Sequence, residues 1–235
     1  MKPLRHKTIQ HYIAEPIQES WRMPLHHPSP RFKEYQRAQK ILLSTPTLSS
    51  DLCEVLQNRT SSRVFTKKIT KEQLSGLLYW SLGLLEKGET KHRTYPSGGG
   101  FYPLEAYLAI DFVEGIDSGV YHYNVRENTL ELLPFVNAAE IIEALKLENT
   151  NIESPSLALL LSFVEQRSHH KYGVFSNKLG LLEAGHVGQN LYLVAAALGF
   201  GICGLGLGEK VHSLNQQLRL DGENECVVYG FAIGG

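Results

Sequence analysis

The sequence predicts an α+β domain in which long helices flank a mixed, mainly antiparallel sheet. Two leucine-rich stretches repeat their apolar residues with the period of a helix, and short apolar runs separated by turn residues fill the middle of the chain. No linker, repeat or low-complexity block divides the 235 residues, so one domain is the simplest interpretation. With 43% hydrophobic residues, the chain can build a substantial core.

The predicted domain comprises residues 49–235, and an extended arm, residues 1–48, precedes it. Residues 1–48 contain several prolines without clear periodicity, and ordering such an arm requires a surface, either its own domain or a partner subunit. A short helix follows, capped by Ser49-Ser50-Asp51, and it ends near Arg59 with Leu52, Val55 and Leu56 turned inward. Residues 71–86 predict a longer helix with an apolar stripe formed by Leu74, Leu77, Leu78, Leu82 and Leu85.

The middle of the chain, residues 104–133, predicts hairpins, and the part after it predicts helices that alternate with buried strands. Strand patterns cover residues 104–111, 120–125 and 129–133, and a helix begins at Asn137. The continuous apolar run 156–163 predicts a strand buried on both faces. Further helices are predicted over residues 183–198 and 209–218, and a last apolar strand over residues 226–233.

Charge and cysteine content narrow the function classes. The formal net charge is −1, with 23 Lys and Arg against 24 Asp and Glu, so no field collects polyanions, and nucleic-acid binding and polybasic membrane binding are disfavoured. Three cysteines (Cys53, Cys203 and Cys226) are an odd number spread far apart, which favours reduced thiols. The N-terminus has no signal-peptide core, so we expect a cytoplasmic protein.

The segment from Ala184 to Gly208 contains no Asp, Glu, Lys or Arg and is long enough to span a bilayer. Polar residues occupy its first turns, and five glycines interrupt its second half. These interruptions predict a helix buried in protein and followed by a glycine loop.

The run Arg59-Thr60-Ser61-Ser62-Arg63 is the first candidate site. In an extended segment, residues two apart share a face, so Arg59, Ser61 and Arg63 point the same way. Two guanidinium groups beside a hydroxyl suit a dianionic phosphate. The alternative from spacing alone is a solvated polar strand edge.

The run Pro96-Ser97-Gly98-Gly99-Gly100 is the second candidate site. Consecutive glycines remove the side chains that would keep a flat ligand away from the backbone. The alternative is a flexible surface loop, although Pro96 and Pro103 favour a shaped one.

Lys171 and Tyr172 form the third candidate site, in a basic stretch that begins at Arg167. A lysine or tyrosine in such a setting can act as a general base or acid. The alternative is a solvated basic turn.

Two further patterns are weaker. Glu183 and His186 stand three apart on a helix face, but a single such pair does not supply the ligands that a metal ion needs, so no metal is predicted and His186 is interpreted as a core histidine. Residues 199–204 spell G-x-G-x-x-G after a helix instead of after a strand, which argues against a dinucleotide fingerprint.

Taken together, these motifs resemble the SagB-type or McbC-like FMN-dependent dehydrogenases of the nitroreductase superfamily. The resemblance rests on Arg-x-Ser-x-Arg, Pro-Ser-Gly-Gly-Gly, Lys-Tyr-Gly, Glu-Ala-Gly-His-x-x-Gln-Asn-Leu and the glycine-rich loop, and it extends to the arm at His6-Lys7-Thr8 and Pro30 to Tyr35. It implies a nitroreductase-like fold that dimerises through long helices and holds FMN at the dimer interface.

The resemblance also implies site residues and an activity. Its best-described members are azoline oxidases, which convert peptide thiazolines or oxazolines, made by a cyclodehydratase from a precursor peptide, into thiazoles or oxazoles. Lys171 and Tyr172 would be the catalytic residues. The FMN-binding residues would be Arg59, Thr60, Ser61, Arg63, Pro96, Ser97, Gly98, Gly99, Gln189, Asn190, Gly206, Leu207 and Gly208.

The chain departs from this family at two places. Asn177-Lys178 stand where the family usually has Tyr-Arg, and relatives often continue past the position of Gly235 and add a basic residue near the phosphate. Two alternative functions remain. The superfamily scaffold that the resemblance implies also suits a stand-alone NAD(P)H-dependent reductase of nitro compounds or quinones, and Asn177-Lys178 suits a catalytically weakened scaffolding subunit of a peptide-modifying complex.

Overall fold

A seven-stranded sheet forms the centre of the fold. The computed structural model describes residues 31–87, 90–148 and 151–235, so His6-Lys7-Thr8, Pro30 and the rest of the arm before residue 31 lie outside the described residues. The strands are β1 Lys40–Leu42, β2 Ile69–Thr70, β3 Leu84–Lys87, β4 Thr90–Arg93, β5 Leu104–Ile110, β6 Val113–Glu114, β7 Gly119–Asn124, β8 Thr129–Leu132, β9 Leu157–Val164, β10 Gly201–Leu205 and β11 Glu225–Gly234. The helices are α1 Leu52–Asn58, α2 Lys71–Leu82, α3 Ala138–Glu148, α4 Gln166–Tyr172, α5 Phe175–Leu198 and α6 Val211–Gln217.

The order of the main sheet is β1-β8-β7-β5-β9-β11-β10, and every neighbouring pair in it is antiparallel. A parallel pair, β2 with β6, and a hairpin, β3 with β4, lie beside it. The predicted α+β class with a mixed, mainly antiparallel sheet is therefore confirmed, as is the fully buried strand, since all eight residues of β9 are buried.

Among the described residues, two helices cover each face of the sheet. On one face, alternate residues of β5 such as Leu108 pack with α2 and α5, including Leu77 and Leu191. On the other face, residues such as Leu160 pack with α3 and α6, including Ile141 and Leu214. The alternation places apolar side chains of the central strands on both faces, which is why β5 and β9 lie in the middle of the sheet.

The described part of the arm lies on the chain's own domain. Strand β1 pairs with β8, and the Nζ atom of Lys33 donates to Glu225 Oε2 at 2.5 Å and to Tyr107 Oη at 2.6 Å. Lys33 and residues 40–42 of the arm therefore contact the chain's own domain.

Several predicted elements were wrong in extent or exposure. Helix α2 ends at Leu82 because Gly83 turns the chain into β3, so Leu85 belongs to a strand. Leu52 and Leu56 are 63% and 51% exposed instead of buried. Helix α5 begins at Phe175, eight residues earlier than predicted. The first part of the glycine stretch after it, Gly201–Leu205, forms strand β10 instead of a loop, and only the part from Gly206 onward is a loop.

Candidate functional site

The segment that follows α1 is extended and lies beside the edge strand β10. The backbone N–H of Ser62 donates to the carbonyl oxygen of Ile202 at 2.9 Å. Ser61 Oγ lies 3.0 Å from Tyr192 Oη, and the Arg59 guanidinium carbon lies 5.4 Å from the centre of the Tyr192 ring. We call Arg59, Ser61, Arg63 and Tyr192 the arginine cluster.

The glycines of β10 permit this close approach. A Cβ atom on Gly201 would lie 2.8 Å from Ser62 Cβ, and one on Gly204 would lie 2.7 Å from Tyr229 Oη. The N–H of Gly204 donates to Tyr192 Oη at 2.7 Å, which holds the tyrosine against the strand. A larger residue at 201 would push the segment at Ser62 away from β10, and one at 204 would displace Tyr229.

The arginine cluster presents positive charge to solvent. Ser61 and Arg63 are exposed and Arg59 is half-buried, and in the described ranges neither arginine pairs with a carboxylate. Burial raises the pKa of Cys203, and the nearby charge of Arg63 opposes that rise. Two arginines without a carboxylate partner beside a hydroxyl form a donor set that suits a dianion.

The loop that follows β10 continues this surface. Gly206 and Gly208 are exposed, and a Cβ atom on Gly206 would meet no atom within 4 Å. The side chain of Leu207 is only 6% exposed, since it packs in the core beside Gly230. Leu207 could therefore offer a ligand its backbone but not its side chain.

At the other end of α5, the glycine turn packs against Tyr172. Residues Gly98–Gly100 form one turn of 3₁₀ helix, and a Cβ atom on Gly99 would lie 3.0 Å from Tyr172 Oη. The Phe101 ring centre lies 6.1 Å from that of Tyr172 and 5.8 Å from Lys171 Nζ. We call Ser97, Gly98, Gly99, Phe101, Lys171 and Tyr172 the tyrosine cluster.

The shape of this turn depends on its glycines. Gly99 and Gly100 have φ values of 64° and 67°, in the left-handed region that side chains disfavour. The backbone N–H of Tyr102 donates to Ser97 Oγ at 2.8 Å and closes the turn. The loop is therefore shaped, as Pro96 and Pro103 predicted.

The basic stretch around Lys171 forms helix α4 instead of a solvated turn. Lys171 is exposed and Tyr172 is half-buried at its C-terminal end. Arg167 is 3% exposed, pairs with Glu105 and donates to the carbonyl oxygen of Tyr102 at 3.2 Å. Burial opposes ionisation of Glu105, but the charge of Arg167, the hydrogen-bonded His122 ring and the charge of Arg93 together outweigh it and lower the pKa of Glu105 to about 2.

Two predicted site residues on α5 have different environments. Asn190 Nδ2 donates to the carbonyl oxygens of Ser81 and Thr94, at 3.4 and 3.1 Å, and so ties α5 to α2 and to the start of the glycine turn. Gln189 is exposed, as are Pro96 and Thr60. His186 is exposed as well, so its interpretation as a core histidine was wrong.

Sequence reasoning considered Glu183 only as part of a metal-binding pattern and missed its burial. Its side chain is buried at 3% exposure, and its Oε1 atom has no hydrogen-bond partner among the described residues. Burial raises the pKa of Glu183 to about 7, against the opposing effects of the Ser97 hydroxyl and the charges of Arg93 and Arg167. The sequence shows a glutamate near a histidine but not its burial, and no three His, Cys, Asp or Glu side chains of the described residues converge on one point.

The two clusters lie toward opposite ends of α5. Leu179 contacts the position of a Cβ on Gly98, whereas Tyr192 belongs to the arginine cluster. Thirteen residues of helix separate these two contacts, which is about 20 Å along the axis at a rise of 1.5 Å per residue. The two clusters of one chain are therefore separate from each other.

Residues 56–235 match the profile of the Nitroreductase family, which is more than three quarters of the chain. The chain belongs to the nitroreductase family. A protein named "Putative nitroreductase MJ1384" from Methanocaldococcus jannaschii is 29% identical over 154 residues, covering 65% of this chain and 77% of that protein. The microcin B17-processing protein McbC of Escherichia coli is 30% identical over 112 residues, covering 46% of this chain but less than half, 41%, of McbC.

Solved structures share the fold. The E. coli microcin synthetase McbBCD complex, with truncated pro-MccB17 bound, contains a chain that matches at a TM-score of 0.65 and 22% identity, covering 86% of this chain and 79% of that chain. A "putative nitroreductase in complex with FMN" from Desulfovibrio desulfuricans matches at a TM-score of 0.54 and 16% identity, covering 79% and 86% of the two chains. None of the helices in the described ranges is long and apolar enough to cross a membrane.

Proposed function

We propose that this nitroreductase-family oxidoreductase is a SagB-type, FMN-dependent dehydrogenase that oxidises thiazolines or oxazolines in a peptide to thiazoles or oxazoles. The observation that carries the proposal is the contact between the glycine turn and Tyr172, because a phenol beside Lys171 and a side-chain-free surface together suit proton removal from a flat ring. The similarity to McbC, a microcin-processing protein, supports a peptide substrate.

The residues present fit FMN. The arginine cluster offers two guanidinium groups and a hydroxyl to a phosphate, and Thr60 and the exposed backbone at Gly206 and Gly208 extend this surface. The family match and the FMN complex of a related fold support the same cofactor. Bound FMN would accept the hydride that leaves the β-carbon of the azoline ring, and oxygen would reoxidise it.

The chain's own residues would handle the proton. Aromatisation of an azoline ring removes one proton from the α-carbon besides the hydride, so a base must stand over the ring. Tyr172 contacts the turn at Gly98 and Gly99, and Lys171 Nζ lies 5.3 Å from the Tyr172 ring centre and 5.8 Å from that of Phe101, so the amine stands beside the phenol. Lys171 is exposed to solvent, to which the proton can pass.

We propose that two copies of the chain complete each site. The arginine cluster and the tyrosine cluster of one chain are about 20 Å apart along α5, so each would work with the other cluster of a second copy. Leu181 and Leu182 on the outer face of α5 are 59% and 62% exposed, and Leu52 on α1 is 63% exposed. These apolar side chains would be covered in a homodimer with a shared two-fold axis.

The dimer is tested by Leu181→Asp combined with Leu182→Asp. A buried leucine contributes about 1.5–3 kcal/mol, and a symmetric interface contains each residue twice. Analytical ultracentrifugation should find a dimer for the wild type and a monomer for the double variant, which should also lose FMN. Exposed Phe135, outside both clusters, gives the matched Phe135→Asp control, which should remain a dimer. A monomeric wild type that retains FMN would contradict the shared site.

The activity is tested by incubating the purified protein with a thiazoline-containing peptide and oxygen. We expect FMN to co-purify and the peptide to lose 2 Da for each ring, from the loss of two hydrogen atoms. A protein that takes up FMN but leaves the peptide unchanged would favour a different substrate. Genes for a cyclodehydratase and a precursor peptide beside the gene of this protein would support the proposed partners and a site of action in the cytoplasm.

A stand-alone NAD(P)H-dependent nitro or quinone reductase is the second candidate. It is favoured by the similarity to MJ1384, which covers more of this chain than the similarity to McbC. Reduction of a quinone removes no α-proton, so Tyr172→Phe separates the two candidates. The third candidate, a weakened scaffolding subunit, is motivated by Asn177-Lys178 on the first turn of α5, and measurable turnover in the peptide assay would exclude it.

A further inference from the structure

A fully buried histidine bridges two carboxyl groups within the sheet. His122 on β7 has an exposure of 0%, and each nitrogen of its ring faces a buried carboxyl group. Nε2 lies 2.8 Å from Glu105 Oε2 on β5, and Nδ1 lies 3.0 Å from Glu131 Oε2 on β8, the residue directly opposite in register. Burial of three ionisable side chains is costly unless they are paired, so their retention here requires a reason.

Both carboxyl groups also accept hydrogen bonds from other donors. Glu105 Oε1 pairs with Arg167. Glu131 Oε2 accepts the backbone N–H of Tyr35 at 2.9 Å, and Oε1 accepts Nδ2 of Asn124 at 2.9 Å. Because an ionised carboxylate can only accept, each ring nitrogen that faces one must carry a proton. The geometry therefore requires the doubly protonated, imidazolium form of the histidine.

The groups around the ring favour the same protonation state. Burial opposes ionisation of Glu105 and Glu131, but the cationic and N–H groups around them outweigh it and lower the pKa of each to about 2. Burial also opposes the charge on His122, but its hydrogen bonds to the two carboxylates outweigh burial and raise its pKa. Two phenols also face the ring, with centres 5.2 Å away for Tyr35 and 5.4 Å away for Tyr107.

On the Glu131 side, the bridge reaches the arm. Glu131 accepts the N–H of Tyr35, and its Oε1 atom lies 3.4 Å from Nζ of Lys40 on β1. Lys33 Nζ donates to Tyr107 Oη at 2.6 Å, and the Tyr107 ring packs beside the histidine. These contacts fix the described part of the arm to the side chains that surround the histidine.

On the Glu105 side, the bridge reaches the tyrosine cluster. Arg167, which pairs with Glu105, stands in the first turn of α4 and donates to the carbonyl oxygen of Tyr102 at 3.2 Å. The N–H of Tyr102 closes the glycine turn, and α4 carries Lys171 and Tyr172 in its last turn. The direction of the Glu105 carboxylate therefore affects where Arg167 holds α4 against the glycine turn.

We propose that His122 is a positioning residue, which as an imidazolium aligns both the carboxylate that holds α4 and the carboxylate that holds the arm. A neutral ring has only one N–H, so it would release either Glu105 or Glu131. Loss of the Glu105 bond would let Arg167 shift together with α4, and so move Tyr172. The inference rests on the proposed function only in taking Tyr172 as an acid–base group, and His122 itself is too deeply buried to touch a substrate.

The first measurement observes the protonation of the ring in the full chain. Histidine labelled with ¹⁵N in the ring is incorporated at all ten positions, and the His122 signals are assigned by nuclear Overhauser contacts with the neighbouring Tyr35 ring. At pH 8, above the ordinary histidine pKa of 6.5, we expect N–H signals with imidazolium shifts from both ring nitrogens. His212→Gln, which replaces an exposed histidine on α6, should retain both signals. A His122 ring nitrogen without a proton at pH 8 would overturn the proposal.

The second measurement observes the tyrosine cluster. The protein is produced with 3-fluorotyrosine, and the fluorine resonance of Tyr172 is the one missing from Tyr172→Phe. His122→Gln and Glu105→Gln should each move this resonance, because each breaks the bridge that leads to Arg167. Thr129→Val, a buried substitution on β8 outside the bridge, should leave it in place. The proposal is overturned if a folded His122→Gln or Glu105→Gln leaves the resonance unmoved, and with two variants, poor folding of one leaves the other decisive.

These measurements require neither a substrate nor turnover. If the peptide assay fails while the ring is an imidazolium and the Tyr172 resonance responds, the positioning role holds and the proposed reaction is wrong. If oxidation succeeds while the resonance does not respond, the reaction holds and the positioning role is wrong. When both hold, kcat for oxidation should fall by about 10–100-fold in His122→Gln while KM stays within about threefold, because a misplacement of about 1 Å can cost about 10²-fold in rate.

Discussion

The arginines in and around the two clusters at the ends of α5 differ in exposure and in pairing. In the arginine cluster, Arg63 is exposed, and no carboxylate of the described residues pairs with it or with Arg59. Around the tyrosine cluster, Arg93 and Arg167 are both 3% exposed, and Arg167 pairs with Glu105. The charges of Arg59 and Arg63 are therefore available to a ligand. The buried arginines at the other end of α5 instead fix the geometry of the glycine turn and of α4.

We expect the largest effect on the rate of azoline oxidation, from substitutions in the tyrosine cluster that leave the arginine cluster unchanged. Because general acid–base groups contribute about 10²–10⁴-fold, Tyr172→Phe and Lys171→Ala should each lower azoline oxidation by about that factor. Both variants should keep FMN, the dimer and any quinone reduction by NAD(P)H.

Stopped-flow oxidation of a thiazoline peptide measures this effect. Tyr79→Phe, a half-buried tyrosine on α2 outside both clusters, is the matched control and should retain full activity. Equal oxidation by Tyr172→Phe and the wild type would remove the proton role from this tyrosine.

The next largest effect is on the free energy of unfolding, and it comes from the buried carboxyl group of Glu183. Burial holds the pKa of Glu183 at about 7 in the folded protein, above the ordinary value of 4.5, so the folded state binds the proton more tightly. Stability from this group is fully present below pH 4.5 and is lost as the pH rises through 7, by about 3 kcal/mol in all. Glu183→Gln carries no such loss, because it does not ionise.

Urea unfolding at pH 5 and pH 8 measures this change in the free energy of unfolding. Relative to the wild type, Glu183→Gln should gain about 2–3 kcal/mol more free energy of unfolding at pH 8 than at pH 5. Glu143→Gln, which is exposed, should show no difference between the two pH values. A parallel pH dependence in wild type and Glu183→Gln would mean that Glu183 ionises normally in the folded protein.

The smallest expected effect is on the affinity for FMN, and it comes from substitutions in the arginine cluster. Removing one charged hydrogen bond to a phosphate raises the dissociation constant of FMN by about 10–150-fold, or about 1.5–3 kcal/mol, which is expected for Arg59→Ala and for Arg63→Ala. Fluorescence titration of the apoprotein with FMN measures it. Arg126→Ala removes an exposed arginine paired with Glu34 and should leave the affinity unchanged; if it behaves like Arg59→Ala, the effect is one of net charge.

Local patterns predicted most of the strands and the motifs, because they depend on residues close in sequence. The apolar run of β9 needs no distant information to indicate burial, and the sequence of Gly98 to Gly100 already indicates a glycine turn. Where tertiary contacts decide, the sequence was not enough. Leu52 and Leu56 have the spacing of an inward stripe, but only Val55 between them finds the core.

The site shows the same limit. Nothing local in the sequence indicates that Tyr192 meets Ser61, because this contact joins segments far apart in the chain, or that Glu183 is buried. The start of α5 was missed because Gly180 lies in its first turns. The structure explains that glycine: a Cβ atom there would lie 2.5 Å from the Phe163 ring.

The segment that carries the arginines also protects an edge of the sheet. Strand β10 is the last strand on its side, and an uncovered edge of this kind invites pairing with other chains and aggregation. The Ser62 N–H occupies the carbonyl oxygen of Ile202 on that edge, and Glu153 holds the same segment in place through its bonds with the backbone of Arg63 and Phe65. Detachment of this segment would therefore expose β10, so the short segment that carries the two arginines also covers an edge at which other chains could pair.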